Sequence, residues 1–193
     1  MSFTKTLKVT NIVHGILGTK ITRNSIAIDA TMGNGYDTLF LLNHIGSNGK
    51  VYAFDIQEES LINTKKILQN NQINIEDNIQ LILDGHENIY KYVEEKVDIV
   101  MYNLGYLPGG NKKIITKPST TIKSLDIVLP LLKEGGIISI ATYYGHPGGK
   151  DERDAIIEYT KNLDWNTYAV LKCDYHNYES MPISLIFIEK KLI

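Results

Sequence analysis

The sequence is poor in cysteine, tryptophan and proline, and it carries little net charge. Its 193 residues include one cysteine, one tryptophan and five prolines, and the formal net charge at pH 7 is −2. The lone Cys173 forms no internal disulfide and makes no zinc signature, so no metal site is predicted. We expect it to be a small buried residue on a strand. Because the chain is no polycation, any contact with RNA must use a local patch.

The sequence also lacks a long apolar run. No stretch approaches the roughly 20 residues that span a bilayer, and residues 1–5 lead into no signal-peptide core. We therefore expect a cytoplasmic protein. Hydrophobic residues make up 43% of the chain and charged residues 22%. That balance predicts one compact domain over residues 1–193, with no linker or internal repeat.

What the sequence does contain is an alternation of strand-like and helix-like segments. Apolar runs predict strands at 25–29, 51–55, 79–83, 97–102 and 136–141. Helical patterns at 37–45, 58–70, 119–132 and 151–163 fall after or between them. Strands that alternate with helices predict a mainly parallel sheet. Within residues 1–24, helical spacing predicts a further helix laid over the sheet, with the apolar residues Val9, Ile12, Val13, Ile16 and Leu17.

The last part of the chain distinguishes two kinds of α/β fold. The extended segments 166–174 and 183–190 follow one another without a helix between them, so we expect an antiparallel hairpin. The usual dinucleotide-binding fold continues with parallel units instead. Five βα units and a closing hairpin are typical of the Rossmann-like class I methyltransferases that use S-adenosylmethionine. The prediction is a mostly parallel seven-stranded sheet that ends in an antiparallel hairpin, with helices on both faces.

The first strand runs into a turn with two glycines, whose missing side chains let a ligand approach the backbone. A dinucleotide fingerprint needs a third glycine or alanine where this chain has Thr38, and its loop serves a pyrophosphate. S-adenosylmethionine has no pyrophosphate, so the turn favours it over NAD. The candidate cofactor-binding residues of this turn are Asp29, Thr31, Gly33, Asn34, Gly35, Asp37 and Thr38.

Two further strand ends add candidates for the same cofactor. Asp55 lies twenty positions beyond Gly35, where its carboxylate can accept hydrogen bonds from both ribose hydroxyls, and Gln57 can reach the same ribose. A helix cap or turn residue is the alternative for Asp55. After the third strand, Asp84, Gly85 and His86 fall where the adenine end would lie. For His86, a hydrogen-bonded turn residue is an equal alternative.

The fourth strand leads into the loop Asn103-Leu104-Gly105-Tyr106-Leu107-Pro108-Gly109-Gly110-Asn111-Lys112. Methyltransferases acting on nitrogen often carry Asn or Asp, Pro, Pro and an aromatic residue here, so that oxygens accept the amine hydrogens and the ring packs on the target. This chain has Leu104-Gly105 in place of the two prolines, which argues against assuming a flat base amino group as the target. We predict that Asn103 and Leu104 contact the cofactor and that Asn103 and Tyr106 act in catalysis; an ordinary glycine-rich loop is the alternative.

Four segments in register, 29–38, 84–87, 103–112 and 143–149, closely resemble one bacterial family, and the likeness extends through 182–190. The family, formerly described as rRNA methylases, comprises tRNA wobble-uridine methyltransferases. They convert 5-aminomethyl-2-thiouridine to its 5-methylaminomethyl form. The resemblance implies S-adenosylmethionine as cofactor, the tRNA anticodon stem-loop as partner and N-methylation as the reaction. The alternative functions are an rRNA or metabolite methyltransferase, a nicotinamide-dependent reductase and a non-enzymatic nucleotide-binding module. A homodimer is the assembly we expect.

The segment 143–149 offers aromatic rings, a histidine and bare glycine backbone to a flipped-out uridine and its phosphates. His146 is the candidate proton acceptor. The alternative for the aromatic residues is that they are ordinary residues at the edge of the core. The candidate substrate-binding residues are Tyr106, Gly110, Lys112, Tyr144, Gly145, His146 and Gly148. A basic cluster after the catalytic loop either holds the anticodon backbone or is simply solvated; it comprises Lys112, Lys113, Lys117 and Lys123.

Overall fold

The computed structural model describes residues 5–74, 78–177 and 182–192. Their strands are β1 (Ile26–Asp29), β2 (Lys50–Asp55), β3 (Ile79–Leu83), β4 (Val97–Leu104), β5 (Leu132–Tyr143), β6 (Tyr168–Asp174) and β7 (Ile183–Lys190). They form one seven-stranded sheet in the order β3-β2-β1-β4-β5-β7-β6. Strands β1 to β5 pair in parallel, whereas β7 is antiparallel to both β5 and β6. The predicted parallel sheet with a closing antiparallel hairpin is therefore confirmed.

Five α-helices surround the sheet in the described residues: α1 (Val9–Gly18), α2 (Tyr36–His44), α3 (Glu58–Asn70), α4 (Pro118–Leu131) and α5 (Gly149–Lys161). The prediction of five βα units is wrong in its third unit. Only the 3-10 helix His86–Lys91 follows β3, because the short segment 84–96 covers its part of the sheet by burying Ile89 and Val93.

A second correction concerns the boundary between α4 and β5. The helix expected over 119–132 ends at Leu131, and the strand expected from residue 136 already starts at Leu132. Pro130 lies in the last turn of α4, where its ring and missing N–H weaken the preceding turn, and the helix ends one residue later. Leu132 then pairs with Val97, and the ladder shifts register before Ile99 pairs with Ile137.

Helices cover both faces of the sheet, and each face has its own apolar cluster. On one face, Ile28, Phe54 and Val100 belong to the same cluster as Leu125 of α4 and Ile156 of α5. The other cluster joins α1, α2 and α3 to the sheet, through Val13, Leu17, Leu41, Leu68, Ala27, Ile99 and Met101. Because the central strands are buried on both sides, they are continuous apolar runs in the sequence.

The strand order reverses between β1 and β4, and the carboxyl ends of these two strands lie side by side. Such a switch point leaves a crevice where α/β sheets bind their ligands. Cys173 lies on the edge strand β6. It is half-buried, not fully buried as expected. No helix among the described residues is long and apolar enough to cross a membrane.

Candidate functional site

A cavity of about 820 Å³ opens at the carboxyl ends of the parallel strands. Its walls are the loops that follow β1, β2, β3 and β4, with Thr10 from α1 and Tyr143 from the end of β5. Eleven of the predicted cofactor-binding residues and three other predicted residues are among those around it. From the predicted set, the lining residues are Thr31, Gly33, Asn34, Asp37, Asp55, Gln57, Asp84, Gly85, His86, Asn103, Leu104, Tyr106, Lys112 and Lys117.

Asp29, Gly35 and Thr38 lie beneath the first loop and do not line the cavity. Asp29 is fully buried, and its carboxylate accepts hydrogen bonds from Thr38 Oγ1 at 2.6 Å and from Thr31 N–H at 3.2 Å. Burial, followed by the nearby charge of Asp37, raises the pKa of Asp29 to about 7. These residues hold the loop in shape from below.

The two glycines of the first loop serve different purposes. Gly33 lines the cavity at φ +50°, a backbone conformation that disfavours side chains, and a Cβ there would have ordinary contacts only. Gly35, at φ +81°, turns towards α3, where a Cβ would lie 2.8 Å from Thr64 Cα and from Ile67 Cγ2. Gly35 therefore permits the close packing of α2 on α3 and does not make room for a ligand.

Asp55 ties the loop after β2 to the loop after β1. One carboxylate oxygen accepts the Gly33 N–H at 3.0 Å, and the other accepts the Gln57 N–H at 3.0 Å. Each oxygen can accept further hydrogen bonds, so the carboxylate keeps capacity for a ligand. Ile56, which the sequence analysis missed, lines the cavity beside it and is 59% exposed.

In the loop after β3, the Asp84 carboxylate accepts several hydrogen bonds, whereas one ring nitrogen of His86 has no partner among the described residues. Burial raises the pKa of Asp84, but hydrogen bonds from Asn88, the Gly85 N–H and Tyr92, together with the charge of Lys91, outweigh it and lower that pKa. His86 is buried, and burial lowers its pKa below the usual value. Its Nδ1 lies 3.2 Å from the Ala30 carbonyl, while its Nε2 is buried without a hydrogen-bond partner among the described residues.

The contact between His86 Nδ1 and the Ala30 carbonyl determines the tautomer of His86. A carbonyl oxygen only accepts, so Nδ1 must carry the hydrogen, and in a neutral ring Nε2 is then a bare acceptor. Because buried polar atoms are normally paired, an acceptor left open beside a cavity indicates a missing donor.

Asn103 is the last but one residue of β4 and is held at two points. Its backbone N–H donates to Thr31 Oγ1 at 2.7 Å, and its side-chain Nδ2 donates to the Asp37 carboxylate. The Oδ1 atom of the amide is left as an acceptor. Asn103 and Asp37 both line the cavity, so this acceptor belongs to a fixed polar group at the cavity wall.

The loop that follows Asn103 folds back on itself. The Gly105 N–H donates to Thr116 Oγ1 and the Thr116 N–H donates to the Gly105 carbonyl, both at 2.9 Å. Thr116 Oγ1 in turn donates to Glu152 of α5 at 2.6 Å. Burial raises the pKa of Glu152, which also accepts a hydrogen bond from Thr121. The sequence analysis missed Thr116 and Glu152, because their link depends on tertiary structure.

The segment 144–148 lies next to this loop but outside the cavity wall. The rings of Tyr106 and His146 pack edge to face with centroids 5.6 Å apart, and Lys112 Nζ lies 5.8 Å from the Tyr106 centroid. His146 Nε2 is buried without a hydrogen-bond partner among the described residues. Tyr144 lies under the Arg153 guanidinium at 4.2 Å. Of the predicted catalytic residues, Tyr106 and His146 are therefore in contact, and Asn103 lines the same cavity as Tyr106, whereas His146 does not line it.

The remaining predicted substrate-binding residues lie on the loop that follows Asn103 and on the segment 144–148, which together form the rim of the cavity. Gly110 is outside the cavity, and its N–H donates to the Leu107 carbonyl in a turn. Gly145 and Gly148 are exposed on the segment before α5, and Gly148 precedes the helix at φ +83°. All four clustered lysines are exposed: Lys112, Lys113, Lys117 and Lys123.

Several cavity residues escaped the sequence analysis. Thr10 has no local signal, because only the packing of α1 brings it to the cavity. Tyr36, directly after Gly35, is 67% exposed, and an exposed aromatic beside a glycine turn is a signal that could have been used. Ile56 offered a similar signal as an apolar residue directly after Asp55.

A family model described as "Putative rRNA methylase" matches residues 51–189. A curated relative from Arabidopsis thaliana, named tRNA (mnm(5)s(2)U34)-methyltransferase, chloroplastic, is 35% identical over 192 residues. The match covers 95% of this chain and 70% of the relative.

Solved structures agree with the fold. A protein from Clostridium thermocellum, described as an rRNA methylase, superposes with a TM-score of 0.90 at 38% identity, covering 98% of this chain and 100% of that one. A methyltransferase from Streptococcus mutans, solved with S-adenosylhomocysteine (SAH), gives 0.85 at 43% identity, covering 95% and 98%. These neighbours confirm the predicted class I methyltransferase fold.

Proposed function

The chain belongs to the rRNA methylase family, and we propose that it transfers a methyl group from S-adenosylmethionine to the aminomethyl group of 5-aminomethyl-2-thiouridine at the tRNA wobble position. The observation that carries this proposal is the 35% identity, over 95% of the chain, with a relative named for the product of that reaction. That the chain is a methyltransferase using S-adenosylmethionine is also supported by the 43% identical neighbour solved with SAH.

The cavity residues suit this cofactor. His86 Nε2 is a buried acceptor that needs a donor, and the exocyclic amine of adenine is one. Asp55 has lone pairs left for ribose hydroxyls, and exposed Ile56 beside it offers an apolar surface to the adenine ring. When bound, S-adenosylmethionine supplies an electrophilic methyl group on a positively charged sulfur.

The amine must be neutral and correctly aimed before it can accept a methyl group. A free aliphatic amine has a pKa of about 10, by analogy with lysine. Burial in the cavity favours the neutral form, and Asn103 Oδ1 can accept one of its hydrogens and so orient its lone pair. His146 beside Tyr106 is our candidate for receiving the released proton, because its Nε2 has no described partner.

The RNA surface in this proposal is the rim of the cavity. Lys112 and Lys117 line the cavity, Lys113 and Lys123 are exposed close to them in sequence, and exposed lysines bind phosphates without reading sequence. We propose that this patch and the segment 144–148 receive the anticodon stem-loop. A cytoplasmic location, one catalytic domain over the whole chain and a homodimer remain predictions of the sequence.

The family description names rRNA, whereas the curated relative acts on tRNA, so rRNA is the second candidate substrate. Nucleoside mass spectrometry of tRNA and rRNA from a deletion strain separates them. We expect the strain to accumulate 5-aminomethyl-2-thiouridine in tRNA and to lose the 5-methylaminomethyl form, with rRNA unchanged. Loss of a methylated nucleoside from rRNA alone would refute the tRNA proposal.

A further inference from the structure

His14 lies on α1, and its imidazole is fixed against α2. The ring stacks on Phe40 with centroids 3.8 Å apart and planes 7° from parallel. The side chain is 24% exposed, and His14 is not part of the cavity wall. A stacked ring of this kind presents its edge in one direction.

That edge is directed at Asp37, near the start of α2. His14 Nε2 lies 2.5 Å from Asp37 Oδ1, and the other carboxylate oxygen accepts the hydrogen bond from Asn103 Nδ2. Asp37 is 10% exposed at its side chain, so both hydrogen bonds are shielded from water. A continuous polar chain, His14–Asp37–Asn103, runs from the N-terminal helix to the end of β4.

This chain determines which end of the Asn103 amide faces the reacting groups. A carboxylate can only accept, so Asp37 selects the orientation in which Nδ2 points towards it and Oδ1 remains free. Asp37 can do so only while its own rotamer is fixed. His14 supplies that restraint through the second oxygen, with a hydrogen bond that a charged acceptor strengthens.

We infer that His14 is a positioning residue for methyl transfer: through Asp37 it orients the Asn103 carbonyl oxygen that receives the substrate amine. The inference rests on the proposed function only in naming the amine. The orientation of Asn103 can be measured without any substrate.

The test compares His14→Leu, which removes the hydrogen bond, with His14→Gln, whose amide can still donate to Asp37. The control is His44→Leu, because exposed His44 packs against the same Phe40 at 4.5 Å but hydrogen-bonds to the Phe40 carbonyl and not to Asp37. Single-turnover methylation of tRNA carrying 5-aminomethyl-2-thiouridine gives the rate, and calorimetry gives the cofactor affinity.

We expect His14→Leu to slow methylation about tenfold or more with cofactor affinity within a few-fold of wild type, as for a lost positioning contact. His14→Gln should recover most of the rate, and His44→Leu should match wild type. Adding His14→Leu to Asn103→Ala should slow the reaction little further, because both changes remove the same oriented amide. Wild-type activity in His14→Leu, no rescue by glutamine, or a fully additive double variant would each overturn the inference.

A spectroscopic measurement keeps this outcome separate from the failure of the proposed substrate. The side-chain amide signals of Asn103 in a 15N–1H NMR spectrum can be assigned by their loss in Asn103→Ala. They should shift in His14→Leu and stay in place in His44→Leu. If wild type does not methylate this tRNA but the signals shift as expected, only the proposed substrate is wrong. If the signals do not move, the inference fails whatever the substrate is.

Discussion

At the scale of single residues, the Asp55 carboxylate has two roles, and a substitution that removes it abolishes both at once. Its carboxylate accepts two backbone hydrogen bonds and is also our proposed ribose acceptor. We expect Asp55→Ala to weaken cofactor binding by about 1.5–3 kcal/mol, the scale of hydrogen bonds to a charged group. Isothermal titration calorimetry with S-adenosylmethionine measures this directly.

Asp164 is a matched control for this change. Its Oδ1 accepts the Asn166 N–H at 3.0 Å, the same two-residue turn that Asp55 makes with Gln57, but it does not line the cavity. Asp164→Ala should leave cofactor affinity unchanged. If Asp55→Ala binds the cofactor as wild type does, Asp55 is only a turn residue.

Asn103 should separate chemistry from cofactor binding. Its proposed role is to orient the amine, so Asn103→Ala should keep cofactor affinity within a few-fold of wild type and lower the methylation rate about a hundredfold. Single-turnover transfer to tRNA and calorimetry provide the two numbers. The control is Asn111→Ala, in the same loop, whose side chain accepts the Lys113 N–H at the exposed surface. A wild-type rate in Asn103→Ala would move the search for the catalytic group to His146.

At the scale of secondary-structure elements, Gly35 allows α2 and α3 to pack closely. A methyl group there would lie 2.8 Å from the backbone of Thr64. Gly109 has a similar positive φ, +88°, but a methyl group on it would have no atom within 4 Å. Gly35→Ala should therefore lower the free energy of unfolding by about 1–3 kcal/mol more than Gly109→Ala does, the usual cost of overpacking. Urea unfolding measures both, and equal losses would mean that backbone strain alone matters.

The elements also show what sequence patterns can and cannot predict. Strands buried on both faces are apolar runs, and helices that bury one face keep a helical period, so β1, β2 and α3 were predictable. The terminal hairpin was predictable because its two extended segments follow one another without a helix between them. The 3-10 helix after β3 was not, because a segment whose only buried hydrophobic side chains are Ile89 and Val93 leaves no period to detect. The early start of β5 depends on Pro130 and on pairing with Val97, which is a tertiary contact.

The same distinction applies to the site. Asp55 and Asn103 could be proposed because each stands at the end of an apolar strand, where parallel strands converge. Asp29 stands in the same kind of position, yet it is fully buried and supports the loop from beneath. Sequence position does not say which side of a loop a residue faces. Likewise, nothing local connects Thr10 to the cavity or His14 to Asp37, because α1 reaches them only after folding.

At the scale of the whole molecule, the buried carboxyl of Asp29 links stability to pH. Its pKa rises from an ordinary 3.8 to about 7, mainly by burial and then by the charge of Asp37. Between these values the folded state keeps a proton that the unfolded chain has released. The contribution of Asp29 to the free energy of unfolding is therefore fully present below about pH 4 and is lost as pH rises through about 7.

Asp29→Asn isolates this contribution, because asparagine cannot ionise and keeps one oxygen to accept from Thr38 or the Thr31 N–H. The loss of one acceptor shifts stability equally at every pH, whereas the ionisation cost appears only in wild type and grows with pH. We expect the free energy of unfolding of Asp29→Asn, relative to wild type, to increase between pH 5 and pH 8 in urea titrations. The control is Asp164→Asn: turn hydrogen bonds from Thr167 and Asn166 lower the pKa of Asp164, so its ionisation is complete below pH 5 and its difference from wild type should be flat across this range. A flat difference for Asp29→Asn as well would mean that Asp29 is already ionised at pH 5, and the buried carboxylate would then need a compensating positive partner that the described residues around it do not supply.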